Sequence, residues 1–361
     1  CMHLPASVDI VIVNFHSSDD IRDCLDALGP WERGQIWIVD NSCDPAEIAA
    51  LRQMASSRSE VAVLATKENL GFGCGCNLAL THSSSELVLL LNPDARISPE
   101  HLTTLVQVLE CDPNLGAVSP ATYWNTERSF VLPRPSAQTP LAHVCQVIAS
   151  WWPAATRITA QHMVRRTQKE MASTSPVHVD FLAGAILLLR RSAIEAAGGL
   201  FDSGYFMFFE DADLSLRMRR AGHRLALIPS TMAVHNYRHK PFKAGLMLQS
   251  QLKYFLLRHS WYARLSGRLR GIEQLARPIQ LEEWFHMLGT FSTVQEFEAA
   301  TLGAGVEAFS PSLQMMPAIV RPVGCSGLGF TPHEWALLEP GPYVAWLSTS
   351  SMRRWVYFVR A

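Results

Sequence analysis

The amino-acid sequence predicts an α/β protein with a mostly parallel central sheet, helices on both faces of that sheet, and a smaller C-terminal domain containing β-strands. Segments of strand and helix character alternate through the first third of the chain, which is typical of a parallel sheet. The longest apolar runs, Leu87–Leu91 and Ala185–Leu189, have the length of buried strands and are far too short to span a bilayer. Polar residues follow successive predicted strands, and open α/β sheets bind ligands at that edge.

The early elements have local signals of their own. Ile21, Leu25 and Leu28 form an apolar stripe that predicts a helix, and Pro45 suits the first turn of the next helix. In chain order we predict a strand at Val8–Asn14, a helix at Asp19–Leu28, a strand at Gln35–Val39, a helix at Pro45–Ala55, a strand at Val61–Leu64, a helix at Asn77–His82, a strand at Glu86–Leu91, a helix at Pro99–Cys111 and a strand at Gly116–Ser119.

Residues 133–176 interrupt this alternation. Several prolines and a Trp151-Trp152-Pro153 turn predict a mobile insertion with one helix. Beyond it we predict a strand through Val177–Leu189, helices at Ser192–Ala197 and Gly245–Leu257, and strands at Gly341–Leu347 and Arg354–Arg360. We expect one domain over residues 1–262, which includes the insertion, and an accessory domain of unassigned role over residues 263–361.

Composition narrows the class of protein. A formal net charge of -1 over 361 residues gives no global case for nucleic-acid binding. The eight cysteines have no regular spacing, which argues against a disulfide framework and against a paired zinc motif. We therefore expect reduced thiols and a cytoplasmic location.

The most informative stretch is Phe208-Phe209-Glu210-Asp211-Ala212-Asp213, which opens an amphipathic segment that stops at Gly222. On a helix, Glu210 and Asp213 share a face while Asp211 points elsewhere. Acids in a first helical turn often only complement the helix dipole. For this triplet taken alone, that structural interpretation is favoured.

Seven motifs, taken in order, resemble the pattern of glycosyltransferase family 2 on the GT-A fold, and the likeness is greatest to the bacterial rhamnosyltransferase-like branch. The matching segments are VDIVIVNFHS (8–17), IVDNS (38–42), ENLGFGCGCN (68–77), LLLNPDA (89–95), FLAGAILLLRRSAIEAAGGLFD (181–202), FFEDADLSLRMRRAG (208–222) and VH (234–235). The resemblance implies an enzyme that transfers a sugar with inversion, from a nucleoside-diphosphate donor to a saccharide hydroxyl.

The resemblance also implies which residues bind the donor. Asn14 and Asp40 would hold the base and ribose, and an Asp carboxylate accepts the imide N–H of uracil or thymine. The remaining donor-binding assignments are Asn69, Gly71, Asn77, Asn92 and Gly184. The structural alternatives are a capped turn at Asp40, a plain loop at Asn69–Gly73, and a bulge or tight packing site at Gly184.

Asn92-Pro93-Asp94 takes the place of the family's DxD motif, with Asn92 where that motif has its first Asp. By resemblance, Asp94 binds a divalent cation, Mn²⁺ or Mg²⁺, and His235 completes its coordination. Such a cation prefers oxygen ligands and offsets the charge that develops on a leaving diphosphate. His239 competes with His235 for this role, and a lone histidine is more often structural.

Inverting transfer needs a base that removes the acceptor's proton. By resemblance Asp211 is that base, and Glu210 lines the sugar pocket. Asp213 is assigned to structure, because it precedes Arg217 by four residues and the two form a favourable helical pair.

The resemblance implies dTDP-rhamnose or a UDP-hexose as donor, a saccharide or lipid-linked glycan as acceptor, and surface polysaccharide or O-antigen synthesis as the pathway. UDP-galactofuranose or UDP-N-acetylhexosamine transfer is an alternative, and a non-catalytic nucleotide- or glycan-binding relative is another. The basic, leucine-rich residues 240–280 are read first as a helix packed on the catalytic domain and second as a peripheral membrane contact. A homo-oligomer is left open.

Overall fold

A computed structural model describes residues 6–235, 244–265, 280–312, 318–323, 327–349 and 353–361. The chain divides into two compact units. The first unit comprises Cys1–Ala121, Arg134–Gln138 and Thr174–Arg264, and the second comprises Thr122–Pro133, Thr139–Ser173 and Leu265–Ala361. Most of the predicted insertion therefore groups with the C-terminal residues, which the sequence did not suggest.

The elements up to residue 258 alternate between strand and helix, as predicted, only as far as residue 91. They are β1 (Val8–Asn14), α1 (Ser18–Leu28), β2 (Ile36–Asp40), α2 (Pro45–Ser56), β3 (Val61–Ala65), α3 (Gly71–His82), β4 (Leu87–Leu91), β5 (Ala95–Ile97), α4 (Pro99–Cys111), β6 (Leu115–Tyr123), α5 (Pro140–Trp151), α6 (Pro153–Met171), β7 (Val177–Val179), β8 (Ile186–Arg190), α7 (Arg191–Ala196), α8 (Glu210–Arg220), β9 (Arg224–His235) and α9 (Ala244–Arg258). Asp44 and Ser98 cap α2 and α4, each followed by a proline at the first helical position.

The first unit contains one large sheet with the order β3-β2-β1-β4-β8-β6-β9-β5, and β7 also pairs with β9. Strands β3, β2, β1 and β4 run parallel, as predicted, and their apolar side chains lie in the main core. The pairs β4–β8, β6–β8, β5–β9 and β7–β9 are antiparallel. The predicted fold class is confirmed, and the parallel part of the sheet is the part that holds the polar strand ends.

Three local predictions need correction. Helix α3 begins at Gly71 rather than at Asn77, so the glycine-rich segment is helical. A Cβ on Gly75 would lie 3.1 Å from Val13 Cγ1, which shows that the glycines let this helix approach β1 closely. The segment predicted as one strand over 177–189 forms β7 and β8 with a break at Asp180–Ala185, and the insertion holds two helices rather than one.

The second unit contains a five-stranded sheet with the order β10-β14-β13-β11-β12. Its C-terminal elements are α10 (Leu281–Trp284), β10 (His286–Phe291), α11 (Val294–Thr301), β11 (Gly305–Ser310), β12 (Ile319–Val320), α12 (Pro332–Leu337), β13 (Gly341–Ser348) and β14 (Arg353–Arg360). The predicted C-terminal strands are confirmed. A buried ion pair between Arg321 and Glu334 (3.5 Å) lies beside the aromatic core, with the guanidinium 4.1 Å from the ring centroid of Phe130.

Candidate functional site

The carboxyl ends of β1 and β2 place two predicted donor-binding residues side by side. Asn14 and Asp40 are register partners in the parallel pair, and the Asn14 amide donates to the Asp40 carboxylate at 2.7 Å. Both Asp40 oxygens also accept from Ser42, one from its backbone N–H and the other from its hydroxyl. Asp40 has 0% exposure. Its bonds to Ser42 are those of a capped turn, which is the structural alternative that the sequence offers for this residue.

Glu47 joins this network, and the sequence reading missed it. Its carboxylate accepts from the Asn14 amide (2.9 Å) and from the backbone N–H and hydroxyl of Ser18. The available signal is its position in the first turn of α2, the helix that follows the end of β2.

Two aromatic side chains follow Asn14 at the same strand end. Phe15 is 52% exposed, and His16 adopts a left-handed backbone conformation with φ 54°. Their rings meet edge to face with centroids 4.8 Å apart. A phenyl ring this exposed beside a buried polar network offers a flat apolar surface for a ligand.

The predicted donor-binding residues of α3 are bonded to the segment that precedes α8. Asn77 donates to the Phe201 carbonyl (2.8 Å) and accepts from the Phe201 N–H (3.1 Å). Gly71 has φ 78°, its N–H donates to the Asn69 side chain, and a Cβ there would lie 2.2 Å from the Phe206 carbonyl oxygen. In this arrangement Gly71 and Asn77 therefore fix the course of residues 201–206.

Asp94 and His235, the predicted metal ligands, are brought together. Ala95 pairs with His235 in the β5–β9 ladder, and His235 Nε2 lies 3.1 Å from Asp94 Oδ1. One carboxylate and one imidazole suit Mn²⁺, which accepts mixed oxygen and nitrogen ligands. No cluster of three or more His, Cys, Asp or Glu side chains suited to a metal occurs within the described residues. His239 lies outside the described residues.

The start of α8 has an unusual backbone. Phe208 and Phe209 have φ values of 71° and 64°, a left-handed conformation that bulky residues rarely adopt. The next two residues are Glu210, which is 5% exposed, and Asp211, whose Oδ2 accepts from the Gly184 N–H at 3.0 Å. Such strain persists only where the surrounding structure imposes it, and it often marks a functional segment.

Burial raises the pKa values of both acids in this pair. The pKa of Glu210 is raised to about 8, first by desolvation and then by the neighbouring Asp211 charge. Burial also raises the pKa of Asp211, against two backbone N–H donors, Gly184 and Ala212, that favour its charged form. Glu210 Oε2 is buried without a hydrogen-bond partner. We assign the pair's more tightly held proton to Glu210 and the carboxylate to Asp211.

Asp213 is confirmed as a structural acid. It has 0% exposure, and Arg217 Nε lies 2.7 Å from its Oδ2. Arg258 of α9 donates to both of its carboxylate oxygens, which the sequence did not predict. In α9, Lys253 binds Asp202 at 2.9 Å and Ser250 donates to the Met207 carbonyl. Helix α9 thus packs on the segment that leads to Glu210, as the first interpretation of residues 240–280 predicts; Lys240, Lys243, Arg268, Arg270 and Arg277 lie outside the described residues.

The topology brings these groups to one edge of the sheet. Asn92 follows β4, and its N–H donates to the Ala185 carbonyl (2.8 Å) just before β8, which runs antiparallel to β4. Gly184, which holds Asp211, therefore lies at the edge where β1, β2 and β4 end. Asp94 immediately precedes β5 and lies beside His235, which is the last residue of β9. The edge carries a polar network, a carboxylate–imidazole pair and a buried acid pair.

Comparison with known proteins shows which family the sequence matches. The model described as "Glycosyltransferase like family 2" matches residues 5–249. The chain is 28% identical over 255 residues to the N-acetylglucosaminyl-diphospho-decaprenol L-rhamnosyltransferase of Mycobacterium tuberculosis, covering 65% of this chain and 80% of that protein. It is also 28% identical over 239 residues to rhamnosyltransferase WbbL of Escherichia coli, covering 64% of this chain and 84% of WbbL.

Solved structures are more distant. The mannosyltransferase PcManGT from Pyrobaculum calidifontis, in complex with GDP-Man and Mn²⁺, has a TM-score of 0.46 and 16% identity over 78% of each chain. GalNAc-T7 with UDP, GalNAc and Mn²⁺ has a TM-score of 0.48 and 13% identity over 65% of this chain and 44% of its own. Both scores are below 0.5, so these likenesses carry no argument about the reaction.

Proposed function

The chain belongs to glycosyltransferase-like family 2 and is a glycosyltransferase, and on that premise we propose that it transfers a sugar with inversion from a nucleoside-diphosphate donor to a saccharide hydroxyl. The observation that carries this proposal is the buried Glu210–Asp211 pair at the ligand-binding edge of the sheet. No Lys, Arg or His of the described residues forms an ion pair with either acid, whereas Asp213 in the same turn has two arginines. A carboxylate without a cation keeps its basicity.

Asp211 is the proposed base. Its Oδ1 and Oδ2 are held by the backbone N–H groups of Ala212 and Gly184, which fix the carboxylate's orientation. Since burial raises its pKa, Asp211 is a stronger base than an exposed aspartate and is better matched to a hydroxyl proton. Glu210, protonated near neutral pH, lines the sugar pocket and donates a hydrogen bond there. This arrangement supplies one base on one side of the reacting carbon, which is what a single displacement requires.

The donor is proposed to lie along the ends of β1, β2 and β4. Exposed Phe15 offers a face for the nucleobase, and Asn14 and Asp40 position that strand end through their mutual hydrogen bond. The donor-binding roles of Asn69, Gly71, Asn77, Asn92 and Gly184 stay predictions. The similarity to the rhamnosyltransferases of Mycobacterium tuberculosis and Escherichia coli favours dTDP-rhamnose over a UDP-hexose, UDP-galactofuranose or UDP-N-acetylhexosamine.

A divalent cation is proposed at Asp94 and His235. The 3.1 Å separation of Oδ1 and Nε2 lets both atoms face one ion, and one or two protein ligands suffice when phosphate oxygens and water supply the rest. When bound, the ion would neutralise charge on the departing diphosphate. Nucleotide affinity that is unchanged by EDTA and by Asp94→Ala would exclude this ligand set.

The decisive experiment is a thermal-shift screen with dTDP-rhamnose, UDP-glucose, UDP-galactofuranose and UDP-N-acetylglucosamine, each with Mn²⁺, because a bound ligand stabilises the folded state. The stabilising donor is then used in a donor-hydrolysis and transfer assay. We expect turnover by the wild type and loss of turnover, with retained donor binding, in Asp211→Asn. A wild-type protein that binds donor but never turns over, with water or with any acceptor, would contradict the proposal.

The family match does not extend over the C-terminal residues. The family match ends at residue 249, and residues 263–361 are proposed as an accessory domain. No described helix combines the length and the apolar character needed to cross a membrane.

A further inference from the structure

The helical hairpin formed by α5 and α6 in the second unit has a charge distribution that the transfer reaction does not explain. Residues 135–156 contain no Asp, Glu, Lys or Arg. Within Thr139–Ser173, four basic residues stand against a single acid, and they are Arg157, Arg165, Arg166 and Lys169. The acid, Glu170, is buried and lies 3.8 Å from Arg166. The hairpin is therefore distinctly cationic in a chain whose net charge is -1.

Helix α5 exposes an apolar stripe. Leu141, Cys145 and Ile148 follow a spacing of four and three residues, which places them on one face of α5, and Trp152 lies at the junction between α5 and α6. Leu141 is 73% exposed, Ile148 is 52% exposed and Trp152 is 63% exposed. The buried side chains of α5 include His143 and Val147, on the opposite side of the helix.

Helix α6 exposes a stripe of the same spacing but different chemistry. Ile158, which is 67% exposed, is followed on that face by His162, Arg165 and Lys169, all exposed. The inner face of α6 carries Ala160 and Val164, which pack in a core cluster of the second unit. The outward surface of the hairpin thus has apolar groups and a tryptophan around the α5–α6 junction and basic groups further along α6.

We propose that the outward surface of this hairpin binds the headgroup region of an anionic lipid bilayer. An amphipathic helix that lies on such a surface buries Trp, Leu and Ile at the acyl boundary and keeps Lys and Arg at the anionic headgroups. Tryptophan is enriched at that depth because its ring is amphipathic. The occupant is assigned by charge complementarity. The surface has exposed basic residues and no exposed acid that would repel an anionic lipid headgroup. The binding surface is independent of the transfer reaction and differs from residues 240–280.

The test is co-sedimentation of the full chain with phosphatidylcholine vesicles, with and without phosphatidylglycerol, at low and at high salt. We expect binding only to the anionic vesicles and weaker binding at high salt. Arg165→Gln/Lys169→Gln should weaken binding about 30-fold, because each basic residue near an anionic surface strengthens binding roughly fivefold. Ile148→Ser/Trp152→Ser should weaken it about tenfold.

Matched controls change exposed residues of the same unit outside the hairpin. Arg128→Gln/Arg354→Gln removes two exposed charges, and Leu302→Ser removes a leucine that is 91% exposed; both should bind within about twofold of the wild type. Circular dichroism melts verify that each variant is folded. Absence of wild-type binding, or equal losses in controls and hairpin variants, overturns the proposal. If the hairpin variants instead abolish a dimer seen by sedimentation velocity without lipid, the surface binds a second copy of the chain and the lipid proposal is wrong.

Discussion

Two groups of acids lie at the same edge of the sheet and differ in how completely their oxygens are bonded. At the ends of β1 and β2, all four carboxylate oxygens of Asp40 and Glu47 accept hydrogen bonds from side chains or backbone within the first unit. At the start of α8, Glu210 has a buried oxygen with no partner, and Asp211 is held by two backbone N–H groups. In each group one acid is buried and the other is partly buried, so the oxygen of Glu210 that has no hydrogen-bond partner is what distinguishes the pair at α8.

The largest expected effect is on turnover by Asp211→Asn. An amide cannot take the acceptor's proton, so we expect kcat to fall by about 10²- to 10⁴-fold while donor affinity is retained. The measurement is a steady-state transfer assay with the donor identified by the thermal-shift screen. Asp202→Asn is the matched control, because Asp202 lies in the same segment but is paired with Lys253, and its kcat should change by less than about fivefold. Equal losses in the two variants would make Asp211 a structural residue.

The next effect is on stability, at the third acid of the triplet. Asp213→Asn leaves Arg217 and Arg258 facing an amide at a site with 0% exposure. Removing one partner of a buried ion pair costs roughly 3 kcal/mol. Urea denaturation measures the free energy of unfolding. A cost below about 1 kcal/mol would show that the two arginines are solvated well enough to need no carboxylate.

A smaller effect concerns how the free energy of unfolding depends on pH, and it distinguishes Glu210 from the fully hydrogen-bonded acids Asp40 and Glu47. Its pKa is about 8 when folded, well above its ordinary value, so the folded chain binds more protons than the unfolded chain between those two values. Stability therefore falls as pH rises through this interval. Glu210→Gln removes that loss and should be more stable than the wild type at pH 8 to 9, with little difference near pH 4. Parallel pH profiles for the two proteins would refute the shifted pKa.

The sequence predicted the fold class and the parallel strands because the apolar runs and polar strand ends are local signals. It also predicted the pairing of Asp213 with Arg217, because helical spacing fixes that contact. It did not predict Arg258 as a second partner, since that contact joins residues 45 positions apart. Whether Asp40 is enclosed or open depends on Ser42 and Asn14 rotamers, which no sequence pattern specifies.

The glycine-rich segment shows a different limit. The sequence predicts a glycine-rich turn at Asn69–Gly73 and a helix only from Asn77, whereas α3 already contains Gly71, Gly73 and Gly75, although glycine weakens an isolated helix. In the fold they allow α3 to lie against Val13 and the segment at Phe201–Phe206, and that packing compensates for the weak propensity. Tertiary contact overrides local preference here, so the residues assigned to a ligand also have a packing role.

The smallest effect tests the satisfied group itself, through Asp40→Asn. An asparagine keeps one acceptor for the Asn14 amide, and the Ser42 hydroxyl can rotate to accept from the new amide. We therefore expect a loss of only about 1 kcal/mol in the free energy of unfolding. Donor affinity, measured by calorimetry, should fall by less than about fivefold if Asp40 acts only through Asn14 and Ser42. A fall of a hundredfold at unchanged stability would mean that the carboxylate leaves its present partners to bind the base directly. In that case complete hydrogen bonding would not identify an acid as structural, because Asp40 would exchange its present partners for the ligand.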